Sequence, residues 1–368
     1  MEIRVNIKPN IQFRAFYIFF IIVGIQNGVG VLEAPAKIFP YAKQDAWISI
    51  LLVFLYMIIL FFVMLLILNQ YKQTDLFGIH VDLFGHFFGK FLGILLILFF
   101  FINILSVLVR YIEIITLFLY PSLPPYIIAI SVIGLSIYCV LGGMKVIVGA
   151  CFFYFIFTQI LVLLLYYPIS TMDFNHLLPL FQANLPDILQ SAKEVTYSYL
   201  GLEILLVIYP FISDKTNVKK PAILALMYTT AILLLSLFIS MRYYSFHTLE
   251  RISYPTLTLF RGISFPFIER IDYFIVVEWM MVILPNCILC IWAITYGLKR
   301  LFNLKQRKTV YVIGIMIIIM TSFTYPKIIT DPFLKVSAEI GFWFMYVYPL
   351  LLLPIVMIKK KLKQGRGQ

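Results

Sequence analysis

Ten long apolar stretches separated by short polar connections make up this chain: 11–32, 47–68, 91–119, 125–141, 146–166, 194–212, 221–241, 273–298, 309–325 and 337–358. A bilayer core about 30 Å thick needs about 20 apolar residues as helix, so each stretch predicts a transmembrane helix. The connections carry the Pro, Asp, Asn and Lys residues that end helices. The third stretch is long enough to tilt or to project beyond the core. The fourth and ninth are short, which leaves their ends loosely defined. The first is too long for a cleaved signal peptide and lacks a small-residue cleavage site before the next span. The predicted fold class is all-α integral membrane, one transporter-like domain over residues 1–368 with ten transmembrane helices.

Composition agrees with that pattern and narrows the function. Apolar residues are 62% and charged residues 12% of the chain, against about 45–50% and 25% in ordinary globular proteins. A water-soluble particle of this size could not cover its surface with so few charges, which excludes a soluble enzyme, a disordered chain and a disulfide-stapled secreted domain. The net charge is +12, and its distribution gives it meaning. With ten spans, nineteen of the 29 basic residues fall on the side shared by both termini. They are Arg4, Lys8, Arg14, Lys72, Lys90, Lys145, Lys215, Lys219 and Lys220, then Lys299, Arg300, Lys305, Arg307 and Lys308, then Lys359, Lys360, Lys361, Lys363 and Arg366; only Glu2, Asp75, Asp82 and Asp214 oppose them. The positive-inside rule places that side in the cytoplasm. The basic excess is topology plus contact with the lipid bilayer's anionic headgroups. No base-reading motif accompanies it, so no nucleic-acid partner is expected.

The hydropathy roughly repeats at an offset of about 177 residues, laying spans one to five (about 11–166) over spans six to ten (about 194–358). Five is odd, so the second half starts on the opposite side of the membrane. This 5+5 inverted repeat is typical of secondary transporters. The first helix of each half carries an interruption. Span one contains Gly24-Ile25-Gln26-Asn27-Gly28-Val29-Gly30, and span six contains Ser198-Tyr199-Leu200-Gly201-Leu202-Glu203. Glycines and amides so dense disfavour a continuous helix, and irregular backbone at membrane depth normally lines a cavity. Two broken helices would offer N–H groups and a positive dipole end to a carboxylate, and carbonyls to an ammonium. An amino acid presents both. The other use of such glycines is close helix packing, and Gly24 and Gly28 have the small-xxx-small spacing.

Charged residues within apolar stretches are expensive and face protein, water or a partner. Arg110 and Glu113 lie i, i+3 on one helix face and pair locally, as a structural brace or as a gate. Glu203 serves either the ligand, gating or a proton, or it caps the amides freed by the break. Glu278 and Glu339 fall near span ends, at the interface. Asn103, Ser106 and Asn286, near mid-span, line a pocket or bond between helices. Tyr and Trp near span ends (Trp47, Tyr120, Tyr126, Tyr166, Tyr167, Trp343) form the interfacial belt. Cys139, Cys151, Cys287 and Cys290 lie within apolar stretches and read as packing residues. His80, His86, His176 and His247 lack metal spacing, and no cofactor or catalytic constellation is recognisable.

Several short motifs resemble those of the spore germination permease family. They are Leu32-x-x-Pro35, Asp45-x-Trp47, Arg110-x-x-Glu113 with Leu123-Pro124 after it, Gly201-x-Glu203, and Phe267-x-x-Arg270-x-Asp272. The family usually has Thr after Leu-Pro, where this chain has Pro125. The resemblance covers nearly the whole chain. It implies the B subunit of a germinant receptor with an amino acid–polyamine–organocation transporter fold, in the inner membrane of the bacterial spore. It also implies a nutrient ligand, commonly an amino acid, and two partners, an A subunit and a C-subunit lipoprotein. A secondary amino-acid permease is the alternative. Sodium-coupled relatives use a hydroxyl pair on span eight, and no Ser or Thr lies between Tyr273 and Ile294; some proton-coupled relatives use a Lys on span five, and none lies between Val146 and Tyr166. The expected ligand-binding residues are Gly24, Gln26, Asn27, Gly28, Val29, Gly30, Asn103, Ser106, Leu200, Gly201, Leu202 and Glu203. Arg110, Glu113 and Glu278 are expected in structural or gating roles.

Overall fold

The computed structural model describes residues 5–71, 73–165, 179–262, 271–325 and 327–365. Glu2, Arg4, Lys72, Tyr166, Tyr167, His176, Phe267, Arg270 and Arg366 lie outside the described residues, as does the side chain of Lys363. Among the described residues, seven helices are long and apolar enough to cross a membrane: Val29–Asn69, Leu76–Phe118, Met144–Leu164, Lys215–Tyr243, Ile271–Phe302, Gln306–Thr324 and Ile328–Leu362. Ala15–Gln26, Pro125–Leu141 and Leu202–Phe211 are apolar but shorter. Each of the ten predicted stretches has a helical counterpart at its place in the chain.

The first stretch divides where its glycines and amides predicted. Helix α1 (Ile18–Gln26) stops at Asn27, and α2 (Val29–Ala42) begins after Gly28, whose backbone is extended. Helix α2 then runs past the predicted end at residue 32, through Pro35 and Pro40. A proline inside a helix leaves the carbonyl four residues earlier without its amide. Here Pro35 frees the Val31 carbonyl, which accepts instead from the hydroxyls of Ser236 at 3.2 Å and Thr256 at 3.4 Å. In a bilayer that replacement is what makes the proline tolerable.

Helix α3 (Ala46–Asn69) matches the second stretch. Helix α4 (Leu76–Phe118) starts well before residue 91, because Gly85 at φ +79° joins a short initial segment to the long apolar one. That first segment carries His80 and Asp82, so hydropathy alone hides it. Its cap, Asp75, accepts from the Gly78 amide at 2.8 Å. Helices α5 (Pro125–Leu141) and α6 (Met144–Leu164) follow. The amphipathic α7 (Leu185–Thr196) lies on α2 and α3.

The sixth stretch is short turns of 3-10 helix around the four-residue α8 (Leu205–Ile208), with Leu200 extended and Gly201 at φ +126°. Helix α9 (Lys219–Tyr243) precedes the short α10 (Phe246–Leu249) and α11 (Pro255–Leu259). Helix α12 (Ile271–Phe302) is the axle of the molecule: it packs on α1, α4, α5, α6 and α13, and is buried without interruption from Val282 to Gly297. A helix apolar on every face belongs in such a position. Helix α13 (Gln306–Thr324) is followed by α14 (Lys327–Phe342), which continues through a π-helical turn at Trp343–Val347 into α15 (Tyr348–Gly365).

The two interrupted segments run side by side. Just before α1, the Phe13 amide donates to the Phe211 carbonyl at 3.0 Å and the Ser213 amide donates to the Phe13 carbonyl at 2.9 Å. The Ala15 amide donates to Asp214 Oδ1 at 2.6 Å. At the far end of α1 the Gln26 amide takes over, donating to the Tyr199 carbonyl at 2.9 Å and accepting from Thr229 at 3.0 Å. Both breaks are therefore held at one level.

Candidate functional site

A small cavity opens where the breaks meet the middle of α4. Of the expected ligand residues, Gln26, Gly28, Val29, Gly30, Asn103, Ser106 and Leu200 line it. Phe99, Ile102, Tyr197, Ser198, Asn286 and Ser337 complete most of the wall, and among the described residues no charged side chain lines it. Gly28 supplies the N-cap of α2 and has no side chain to accept from the first-turn amides; its carbonyl accepts from the Val31 amide at 3.3 Å, which leaves the earlier amides of Val29 and Gly30 for something else. Asn103 is buried at 9% exposure and its amide makes no hydrogen bond among the described residues. Ser106 donates to the Ile102 carbonyl at 2.9 Å and meets Ser337 Oγ at 2.6 Å. Asn286 donates to the Ile25 carbonyl at 2.8 Å, holding the last turn of α1 in place. The Gln26 side chain is committed at both ends as a strut.

The remaining expected residues lie elsewhere. A Cβ on Gly24 would stand 2.7 Å from Pro285 Cβ, so Gly24 lets α1 approach α12. Asn27 lines a separate small cavity with Trp279, behind the break. Asn27 Oδ1 and Trp279 Nε1 are both buried without a hydrogen-bond partner among the described residues. A Cβ on Gly201 would stand 2.6 Å from Ile25 Cγ2, which is where the two breaks touch. Leu202 is fully buried in the core. Glu203 turns back to accept from the Gly201 amide at 2.8 Å, and its other oxygen is buried without a hydrogen bond among the described residues. Glu278 Oε2 is likewise buried and unbonded. Glu339 pairs with Lys193 at 2.6 Å, both about half exposed.

Above the cavity is a roomier vestibule, which shares Gly30, Tyr197 and Ser198 with it. Arg110 stands in its wall, with Nη1 2.8 Å from Glu113 and Nε 3.1 Å from Glu33 on α2. Glu33 escaped the sequence reading because it follows directly on the first predicted span, where a polar residue looks like a helix end. A carboxylate one turn after the Gly28 break was the available signal. Removing the guanidinium leaves two carboxylates facing each other in a partly buried site. Arg110→Met is expected to destabilise the protein by about 2–3 kcal/mol, and adding Glu33→Gln to recover most of it. Thermal unfolding of the three purified variants measures this; equal stability of Arg110→Met and wild type would deny the bridge any structural weight.

The opposite end of α4 is closed. Asp75, fully buried, accepts from Arg300 Nε at 2.8 Å and from the Tyr296 hydroxyl at 2.6 Å. Trp292, Tyr296 and Phe211 pack there ring on ring. The cavity thus has a polar, roomy approach on one side and a bolted aromatic plug on the other.

Comparisons with known proteins agree with this arrangement. The profile of a family described as "Spore germination protein" matches residues 12–329. Spore germination protein GerQB of Bacillus cereus is 31% identical over 353 residues, covering 96% of this chain and 98% of the relative. Spore germination protein A2 of Bacillus subtilis (strain 168) is 25% identical over 350 residues, covering 93% and 94%. Among solved structures, MhsT in complex with L-phenylalanine superposes with a TM-score of 0.59 at 14% identity, covering 93% of this chain and 94% of that one. A substrate-bound, outward-open Na+-coupled sialic acid symporter gives a TM-score of 0.66 at 11% identity, covering 91% and 78%. At such identities the likeness is one of fold, and the fold is a transporter's rather than an enzyme's. With the family profile across most of the chain and a relative aligned end to end, this protein belongs to the spore germination permease family and has a transporter-like membrane fold.

Proposed function

We propose that the protein is the nutrient-sensing B subunit of a spore germinant receptor and that a small zwitterion, an amino acid, binds in the cavity at the two breaks. One observation carries the reading: a cavity at the N-terminus of α2, where no side chain caps the helix, walled by neutral polar groups and, among the described residues, free of charged side chains. A ligand with no net charge suits such a wall, since a net charge would enter without a counter-ion. The carboxylate lies against the α2 amides, where the helix dipole favours it, and Asn103 and the Ser106–Ser337 pair take the remaining polar atoms. Binding favours one of two arrangements of the halves, as differential affinity requires. In this reading the chain crosses the membrane ten times as an inverted repeat. Both termini are cytoplasmic, the membrane is the spore's inner membrane, and an A subunit and a C-subunit lipoprotein complete the receptor.

A deletion strain complemented with this chain, tested against a panel of amino acids, is expected to regain germination for one or a few of them. Recovery of none, with the protein present in the membrane, rejects the assignment. A permease is the second reading, supported by the vestibule leading to the cavity and by the transporter fold. Against sodium coupling, the Ser- and Thr-free stretch of α12 extends to Ile294, and Thr295 Oγ1 is spent on the Ile291 and Trp292 carbonyls at 2.8 and 3.2 Å. Robust gradient-driven uptake of a labelled amino acid by the reconstituted chain alone would favour the permease.

A further inference from the structure

A second site lies on the outside of the same wall. Between α4 and the α14–π–α15 rod runs an open groove, lined almost wholly by apolar side chains. Its floor is aromatic: Phe99 stacks on Phe344 with centroids 4.4 Å apart, and Phe344 stacks on Tyr348 at 5.3 Å. Leu98 and Val336 form its sides and are 49% and 58% exposed. At one end the chemistry changes. Lys335 and Glu339 line that end; Glu339 is neutralised by Lys193, and Lys335 makes no ion pair among the described residues. Lys335 also lines the vestibule, so this end lies at the level where polar space begins.

We propose that this groove is a phospholipid site: one acyl chain lies along the aromatic floor and the phosphate rests on Lys335. The dimensions fit. From Lys335 to Tyr348 the rod rises about 20 Å at 1.5 Å per residue, enough for the roughly 15 Å of one leaflet of hydrocarbon plus the approach to the headgroup. The charge fits as well. Among the described residues Lys335 makes no ion pair, so its ammonium is the cation that a phosphate at this end would meet. A strip of long, exposed apolar side chains ending at a cation has the two-part character of a lipid.

The site has a consequence for the inner cavity. Phe99 and Ile102 line both spaces, so the partition between them is one side chain thick. Ser337, which faces the inner cavity, is the immediate neighbour of Val336 in the groove. An acyl chain in place would hold Phe99 and α14 against the cavity, and its departure would let that wall relax outward.

Native mass spectrometry of the detergent-purified chain with added phosphatidylglycerol tests the site without reference to any nutrient, so its failure leaves the proposed function standing. One phospholipid is expected to survive activation on the wild-type chain. Lys335→Glu is expected to weaken retention about tenfold, one lost charge-assisted contact, and Lys305→Glu, away from the groove, to leave it unchanged. Val336→Trp and Leu98→Trp fill the groove from opposite sides and are each expected to abolish retention; both replace lipid-facing residues, and a wild-type thermal transition confirms folding. Equal retention in Lys335→Glu overturns the headgroup assignment. Equal retention in both tryptophan variants overturns the groove. Loss of bound lipid on formation of a dimer, with the tryptophan variants monomeric, assigns the groove to a second copy and overturns the proposal.

Discussion

Gly28→Leu is expected to abolish the response to nutrient while the protein stays folded in the membrane. The prediction rests on space. A Cβ built on Gly28 has nothing within 4 Å, and the backbone there is extended at φ −158°, a conformation open to leucine. The isobutyl group grows into the cavity toward Asn103 and Ser106 and occupies the volume the ligand needs. Affinity is expected to fall at least about a hundredfold, the equivalent of roughly 3 kcal/mol. Germination dose–response curves and direct ligand titration read it; a normal response would show the pocket to be misplaced. Gly201→Leu makes the contrast. Its φ of +126° is closed to leucine and its Cβ would stand 2.6 Å from Ile25 Cγ2, so strain and overpacking together cost about 3 kcal/mol or more. That variant is expected to be poorly folded, and its loss of response would say nothing about the site.

Asp75→Ala is the largest expected loss of stability, about 4 kcal/mol. Asp75 does three things with two oxygens: it caps α4 through Gly78, it accepts from Tyr296, and it pairs with Arg300. All of this happens at zero exposure. Truncating it leaves the guanidinium of Arg300, itself only 13% exposed, beside an empty space. Breaking a buried pair from one side costs about 3–5 kcal/mol, and a lost cap adds about 1. Thermal unfolding of the purified protein measures the drop. A double variant, Asp75→Ala with Arg300→Leu, is expected to regain a good part of it because the buried charge that lost its carboxylate is gone. If Asp75→Ala unfolds within about 1 kcal/mol of wild type, the bolt at this end of α4 carries little of the fold.

Most of the membrane architecture was legible in the residues because bilayer physics is one-dimensional: a helix must be apolar for the thickness it crosses. The break at Gly28 was legible for a local reason, three glycines and two amides within a few residues. Where local signals conflicted with distant partners, the reading went astray. Pro35 looks like a helix end, yet α2 continues through it because Ser236 and Thr256 reach the freed carbonyl. The start of α4 was hidden because His80 and Asp82 interrupt the hydropathy, although the backbone is helical from Leu76.

The candidate site divides in the same way. Gly28, Val29, Gly30, Asn103, Ser106 and Leu200 were visible as polar or glycine exceptions in an apolar field, and the fold brings them to one cavity. Gly24 and Gly201 carried the same signals and serve close helix approach, while Gln26 lines the cavity but has its amide used at both ends as a strut. Tyr197 and Ser337 join the vestibule or the cavity with no signal of their own, and Glu33 with only its place just after the Gly28 break.

The chain's apolar content, the periodic length of its stretches and the one-sided basic charge already dictate a multi-pass helical membrane protein, since each follows from the transfer of single residues between water and lipid. Which exceptions face a ligand and which face a neighbouring helix could not be read off, because nearly every face of these helices is apolar and no period distinguishes inside from outside. That choice depends on helix rotation and on partners far away in the chain, such as Arg110 with Glu33 and Gln26 with Tyr199 and Thr229. Only packing in three dimensions brings those groups within hydrogen-bonding reach.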